Sequence, residues 1–375
     1  AGVSRLVTDT AISYKMPRKK EDNKLMANVL YPDCPQPHQN NHRWGGLNNS
    51  AKALACAQLA TQSSAPLCLL TADIHAAEQL RRELPFFLPD EFPILYLPDR
   101  ETLPYDMFSP HQDLISARLQ TLAQLPHLTQ GIVIAALPTI LHLLPPSSHL
   151  SAHSLQLAKE QTLPIDQFRQ QLVLGGYRHV SQVMEHGEFF IRGSLIDVYP
   201  MGSNFPIRIE LFDDTIDSLR TFDPETQRTI EKIDELTLLP AQEYAMDEEA
   251  IARFRQSWRA TFSGNPLDSP SYEAITEGHH LAGVEMYLPM FFEETSVFMD
   301  YLPKNTRIIQ MQPLNAQLDK FLSEVNHRFE QYRYDQTRPL LPPSQLFLSK
   351  DGFFSQLNPF SCIRINDNAD HNTHN

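Results

Sequence analysis

Between Gly187 and Phe222 the hydrophobic and polar positions alternate in short runs separated by turn residues. Three strands are predicted. The first is Phe189 to Tyr199, closed by Pro200 and Met201-Gly202-Ser203-Asn204; the second is Pro206 to Phe212, closed by Asp213-Asp214; the third is Thr215 to Phe222, closed by Asp223-Pro224. β-Branched and aromatic residues fill the runs, and connections this short join antiparallel neighbours, so a meander is expected. In the second strand Ile207, Ile209 and Leu211 point one way, and Arg208, Glu210 and Phe212 the other. The first set suits a core. The second leaves an arginine and a phenylalanine that the core does not claim. Arg192 is expected in the neighbouring strand beside Gly193, a candidate bulge that re-aims side chains. Arginine with an exposed aromatic is the composition of a protein-binding hot spot; the same residues also suit a solvated sheet face with a cross-strand Arg–Glu pair.

Upstream, the pattern alternates between helical and strand periods. Ala51 to Ala60 is helical; Pro66 to Leu70, Phe92 to Leu97 and Ile132 to Ala136 are strands. Helices run from about His75 to Leu84 and from Asp113 to Leu125, the latter with Leu114, Ala117, Leu122 and Leu125 on one stripe. This alternation predicts an α/β domain with a parallel sheet of Rossmann or P-loop type. After Pro145-Pro146, a strand at Leu155 to Leu157 and a helix at Ile165 to Val173 precede the meander, giving a small α+β domain. Beyond Pro240 the pattern turns helical, with Asp247 as an N-cap before Ile251, Phe254 and Trp258. A strand at Arg307 to Gln310, a helix from Leu314 to about Tyr332 and a candidate strand at Gln345 to Leu348 follow. The divisions are a flexible arm (1–43), an α/β domain (44–150), an α+β domain (151–240), a segment that completes the first domain (241–355) and a polar tail (356–375).

Composition narrows the function classes. The chain has 375 residues, 42% hydrophobic and 20% charged, which suits several globular domains. No apolar run reaches membrane-spanning length, and the first residues lack the apolar core of a signal peptide, so no membrane partner and a cytoplasmic location are expected. The net charge of −14 opposes non-specific binding to nucleic acid. The 151–240 segment holds eight basic and fourteen acidic side chains, so any arginine patch there is local. Cys34, Cys56, Cys68 and Cys362 show no CxxC spacing and read as reduced thiols.

One phosphate-binding candidate precedes the first helix: Gly46-Leu47-Asn48-Asn49-Ser50-Ala51-Lys52-Ala53. In a working GxxxxGK[ST] loop, glycines let backbone amides face phosphates, the lysine reaches the β/γ-phosphates and the hydroxyl holds Mg²⁺. Gly46 and Lys52 fill their positions, but Ala51 replaces the second glycine and Ala53 the hydroxyl. A vestigial loop without ATP hydrolysis is expected, or an ordinary strand-to-helix turn. The loop carrying Asp99, Arg100, Glu101 and Asp106 is a site candidate or, given Pro98 and Pro104, a rigid connection. His38/His42 and His149/His153 have H-x₃-H spacing but lack completing ligands, so no metal site is expected. No catalytic residue is nominated, there being no HExxH and no GxSxG.

RGSLIDVYP followed by IRIELFDDTIDSLRTFD resembles the small inserted domain shared by the excision-repair helicase UvrB and the transcription-repair coupling factors (Mfd). LPDRETLPYDMFSPHQDLISARLQTL, AIARFRQSWRATF and MYLPMFFEETSVFMDYLP resemble the coupling factors rather than UvrB. The resemblance covers about Trp44 to Phe354. It implies a degenerate, helicase-like domain 1a, an inserted domain 2 and a domain 1b that completes 1a. UvrB's long DNA-clamping hairpin is missing between the loop at Leu97 and the helix at Asp113. The resemblance further implies that the module has lost ATPase activity and needs no cofactor, and that domain 2 docks the damage-recognition ATPase UvrA. Arg192 in IRG, Arg208 in IRIE and Phe212 in ELF fall on the family's UvrA-binding positions. RNA polymerase binding, ATP-driven DNA translocation and a masking, autoinhibitory C-terminal domain belong to parts of the family protein beyond this chain. A fragment or a truncated relative is therefore expected.

Overall fold

The computed structural model describes residues 42–47 and 50–366. Residues 1–41 of the expected arm, with Cys34 and His38, and the last nine residues of the expected tail lie outside them; His42 and Arg43, counted in the arm, begin the first strand. The chain opens with β1 (His42–Gly45), α1 (Ser50–Gln62), β2 (Leu67–Thr71), α2 (Ile74–Glu83), β3 (Ile94–Leu97), α3 (Gln112–Gln124) and β4 (Ile132–Ala136). Every residue of β2 and β4 is buried, as strands covered on both faces require.

The chain then leaves this sheet for β5 (Leu155–Ala158), α4 (Ile165–Leu174), β6 (Arg178–His179), β7 (Glu188–Arg192), β8 (Leu195–Val198), β9 (Ile207–Phe212), β10 (Thr215–Phe222), β11 (Thr229–Ile233) and β12 (Glu235–Leu238). After α5 (Glu248–Thr261) it returns through β13 (Arg307–Gln310), α6 (Asn315–Tyr332), α7 (Lys350–Leu357) and β14 (Ser361–Asn366). The returning strands enter the middle of the first sheet, whose order is β1-β14-β13-β2-β4-β3, with all neighbours parallel. The domain is therefore built from two separated segments. Residues 361–366, counted in the expected tail, form the strand that joins β1 to the rest: Cys362, Ile363 and Ile365 are buried in it.

The second sheet has the order β11-β10-β9-β8-β7-β6 and is antiparallel except for the short β6–β7 pair. Its inner face, with Phe189, Ile196, Ile207, Ile209 and Leu219, shares one apolar core with Phe168 and Leu172 of α4 and with Leu119 and Leu122 of α3. The tip after β8 is held on α3. The Gly202 amide donates to Ser116 Oγ and its carbonyl accepts from Gln120 Nε2, both at 2.8 Å. His186 bridges Asp113 Oδ1 at 2.7 Å and the Ser203 carbonyl at 2.8 Å.

Four expectations change. The run from Phe189 to Tyr199 is a hairpin, not one strand: Gly193 and Ser194 turn the chain, and Gly193 has φ +59°. Apolar residues on both sides hid this turn. Gly193 is thus a turn residue rather than a bulge, favoured because a left-handed φ costs glycine little. The bulge in this sheet lies in β10, where the register shifts between Ile216 and Ser218. Of the stripe expected on α3, Leu122 and the following Leu125 are buried, but Leu114 and Ala117 are only half-buried, and Ile115 and Leu119 with Arg118 take their place. Arg118 reads as polar in sequence, but it is buried against Glu243. The candidate strand at 345–348 is a 3₁₀ turn over Pro343–Gln345 followed by a single bridge between His142 and Phe347.

Candidate docking site

The outer face of the antiparallel sheet follows from strand parity and register. Phe190, Asp197, Arg208, Arg220 and Lys232 are cross-strand partners in one rank. Arg192, Leu195, Glu210 and Ser218 form the next, and Phe212 opposes Thr215 beyond them. Arg192, Arg208 and Phe212 thus share one face. Arg192, expected on the strand next to β9, lies instead one strand farther away, on β7. The unforeseen turn puts β8 between them, so two strand spacings, about 10 Å, separate β7 from β9.

The three side chains differ physically. Phe212 is 75% exposed, with its ring off any core. Arg192 is exposed at the end of β7, beside the Gly193 turn, and forms no ion pair among the described residues. Arg208 is fixed. Its Nε and Nη2 donate to Asp197 Oδ1 and Oδ2 at 2.7 and 2.8 Å, Nη2 also reaches Gln227 Oε1 at 3.3 Å, and its guanidinium lies 4.6 Å over the Phe222 ring. Hydrogen bonding to Asp197 raises the Arg208 pKa, outweighing its partial desolvation. Phe222 is itself held in a small cluster with Val183 and Tyr199. The sequence left Arg208 without a structural role; the fold gives it one. Asp197, only 7% exposed, escaped notice because it sits in the apolar run LIDVYP. A nearby Arg–Glu cross-strand pair does exist, between Arg220 and Glu210.

The other candidates take structural places. Lys52 Nζ donates to the Met311 carbonyl at 3.3 Å, beside the end of β13, and Gly46 has φ +73°; Asn48 and Asn49 lie outside the described residues. In the loop after β3, Asp99 accepts from Thr139, and Asp106 accepts from Arg328 at 2.6 Å. Arg100 is buried against Glu243, which also accepts from Arg118 Nε at 2.8 Å. Burial opposes the Glu243 charge, but the two arginines outweigh it and hold its pKa at about 2. This ion triad joins the loop after β3, α3 and the segment leaving the antiparallel sheet. The His149 and His153 rings lie 4.4 Å apart, and burial, then His153, lowers the His149 pKa to about 4. Among the described residues no group of three or more His, Cys, Asp or Glu is placed to hold a metal ion. A cleft of about 1290 Å³ between α3 and the β5–β12 region has Glu235 and His127 as its ionisable lining residues among the described residues. Among the described residues no helix is long and apolar enough to cross a membrane.

The fold is a parallel α/β domain interrupted by an α+β domain whose sheet presents arginines and a phenylalanine on one face, which is consistent with a UvrB-like module. The family profile described as "UvrB interaction domain" matches residues 155–244, which span β5 to the segment after β12. The chain is 41% identical over 322 residues to the transcription-repair-coupling factor of Escherichia coli K12, covering 86% of this chain and 28% of that protein. It is 39% identical to the factor of Haemophilus influenzae over 85% of this chain, and 28% identical to that of Bacillus subtilis over 86%, covering 28% and 30% of those proteins. Over most of its length the chain is therefore similar to transcription-repair-coupling factors, and its 155–244 segment carries the UvrB interaction domain. It spans less than a third of the length of these relatives.

Proposed function

We propose that this chain is a non-catalytic adaptor, acting in the bacterial cytoplasm, that recruits the excision-repair protein UvrA through the outer face of its antiparallel sheet. The observation that carries this reading is the convergence of Arg192, Arg208 and Phe212 on one solvent-facing surface of the matched interaction domain. Phe212 has the exposure and position of an apolar anchor, and the arginines supply donors to polar and acidic groups of the partner. The adaptor reading also rests on the altered phosphate loop. Ala53 offers no hydroxyl to Mg²⁺, and Lys52 is directed to a backbone carbonyl. The chain takes no cofactor in this reading. RNA polymerase, DNA translocation and masking by an autoinhibitory C-terminal domain fall to other parts of the longer proteins.

The test is a titration of purified UvrA against the chain and its variants. Phe212→Ala and Arg192→Ala each weaken binding by about 1–4 kcal/mol, as hot-spot truncations do. Wild-type affinity in both, and in Arg208→Ala, moves the docking face elsewhere. A Mg²⁺-dependent, micromolar affinity for ATP overturns the non-catalytic part.

A further inference from the structure

The candidate face holds two arginines in different electrostatic states. Arg208 is neutralised in place by a bidentate Asp197, and Gln227 and the Phe222 ring fix the plane of its guanidinium. Nε and one edge of Nη2 are committed to Asp197, while Nη1 makes no hydrogen bond within the sheet. Arg192 has no ion-pair partner among the described residues, so its charge is uncompensated there.

We infer that Asp197 is a positioning residue for docking, and that the face reads two chemistries in its partner. Opposite Arg192 the partner carries a carboxylate. Opposite Arg208 it carries a neutral acceptor, such as a backbone or amide carbonyl, met by an N–H whose direction Asp197 sets. This inference rests on the proposal that the face docks UvrA. The physical reason is local charge. The Arg208–Asp197 pair is neutral as a unit and attracts a distant anion weakly, but a guanidinium held on two sides loses little side-chain freedom on binding. Arg192 is an exposed full charge, whose attraction to an acid is screened by salt.

The inference makes opposite predictions for one substitution. Asp197→Asn adds a net positive charge to the face. If Asp197 mattered only through its charge, an acidic partner would bind Asp197→Asn more tightly. If it positions Arg208, binding weakens. The experiment titrates UvrA against the full chain between about 50 and 300 mM NaCl, a range over which surface charges become screened. Asp197→Asn is expected to bind about 5–10-fold more weakly at every salt concentration. Arg192→Gln is expected to lose affinity mainly at low salt, flattening the salt dependence. The double variant Asp197→Asn/Arg208→Gln removes the pair with no change in net charge and is expected to keep the parent's salt slope at lower affinity. Parent-like or tighter binding by Asp197→Asn overturns the inference, as does a flattened slope in the double variant. If Asp197→Asn does not fold, Gln227→Ala removes the third contact instead; a 2–5-fold loss supports positioning, and none overturns it. If Arg192→Gln and Phe212→Ala both bind as the parent does, UvrA docking itself is wrong; if they weaken binding while Asp197→Asn does not, only the positioning role fails.

Discussion

Replacing Arg208 by alanine tests whether a residue proposed for binding also holds the fold. The side chain is about 20% exposed and Asp197 about 7%, so the carboxylate depends on Arg208 for most of its solvation. Arg208→Ala leaves Asp197 with neither of its two charge-assisted hydrogen bonds and removes the cation from the Phe222 face. Hydrogen bonds to charged groups contribute about 1.5–3 kcal/mol each, and breaking a fully buried ion pair costs about 3–5 kcal/mol. Water reaches this pair from the Arg208 side, so a loss of about 2–4 kcal/mol is expected, against less than about 1 kcal/mol for Arg192→Ala or Phe212→Ala. For a chain of this size unfolding as one unit, that loss lowers Tm by about 3–6 °C. Thermal denaturation followed by circular dichroism measures it. Asp197→Asn in the Arg208→Ala background should recover over half of the loss, because the stranded charge is gone. A single Arg208→Ala variant melting within about 1 °C of the parent would show that Asp197 does not need its arginine, and the reasoning about a fixed guanidinium would fall with it.

Two further outcomes are expected. Glu243, whose pKa is held at about 2 against an ordinary value of 4.5, contributes stability that is present above the ordinary value and lost as pH falls from about 4.5 to 2. Glu243→Gln should lower stability at pH 7 and flatten the pH dependence in that window; an unchanged acid-denaturation profile would count against the triad. Gly202→Ala places a methyl 3.1 Å from Gln120 Cβ at a φ of +79°, and should cost about 1–3 kcal/mol while raising hydrogen exchange in the 200–205 tip; protection equal to the parent's would refute the clamp on α3.

The sequence by itself determined most of the local elements and the sidedness of β9 and β10. β9 and β10 needed only strand parity: Ile207, Ile209 and Leu211 face inward and Arg208, Glu210 and Phe212 outward, because a two-residue period is a property of extended backbone. The same holds for β4, β13 and the Asp247 cap, whose signals lie within a few residues. Tertiary structure alone decided which charges meet. Asp197 and Arg208 are eleven residues apart in sequence, and Glu243 lies 125 residues from Arg118; no local pattern records those pairings, since they follow from register and domain packing. It likewise decided that β14 joins β1 to the sheet: six residues next to a polar stretch read as an end, until three of their side chains are seen buried between partners drawn from both ends of the chain. Burial of a charge is a collective property of the fold, whereas the alternation of a strand belongs to the strand itself.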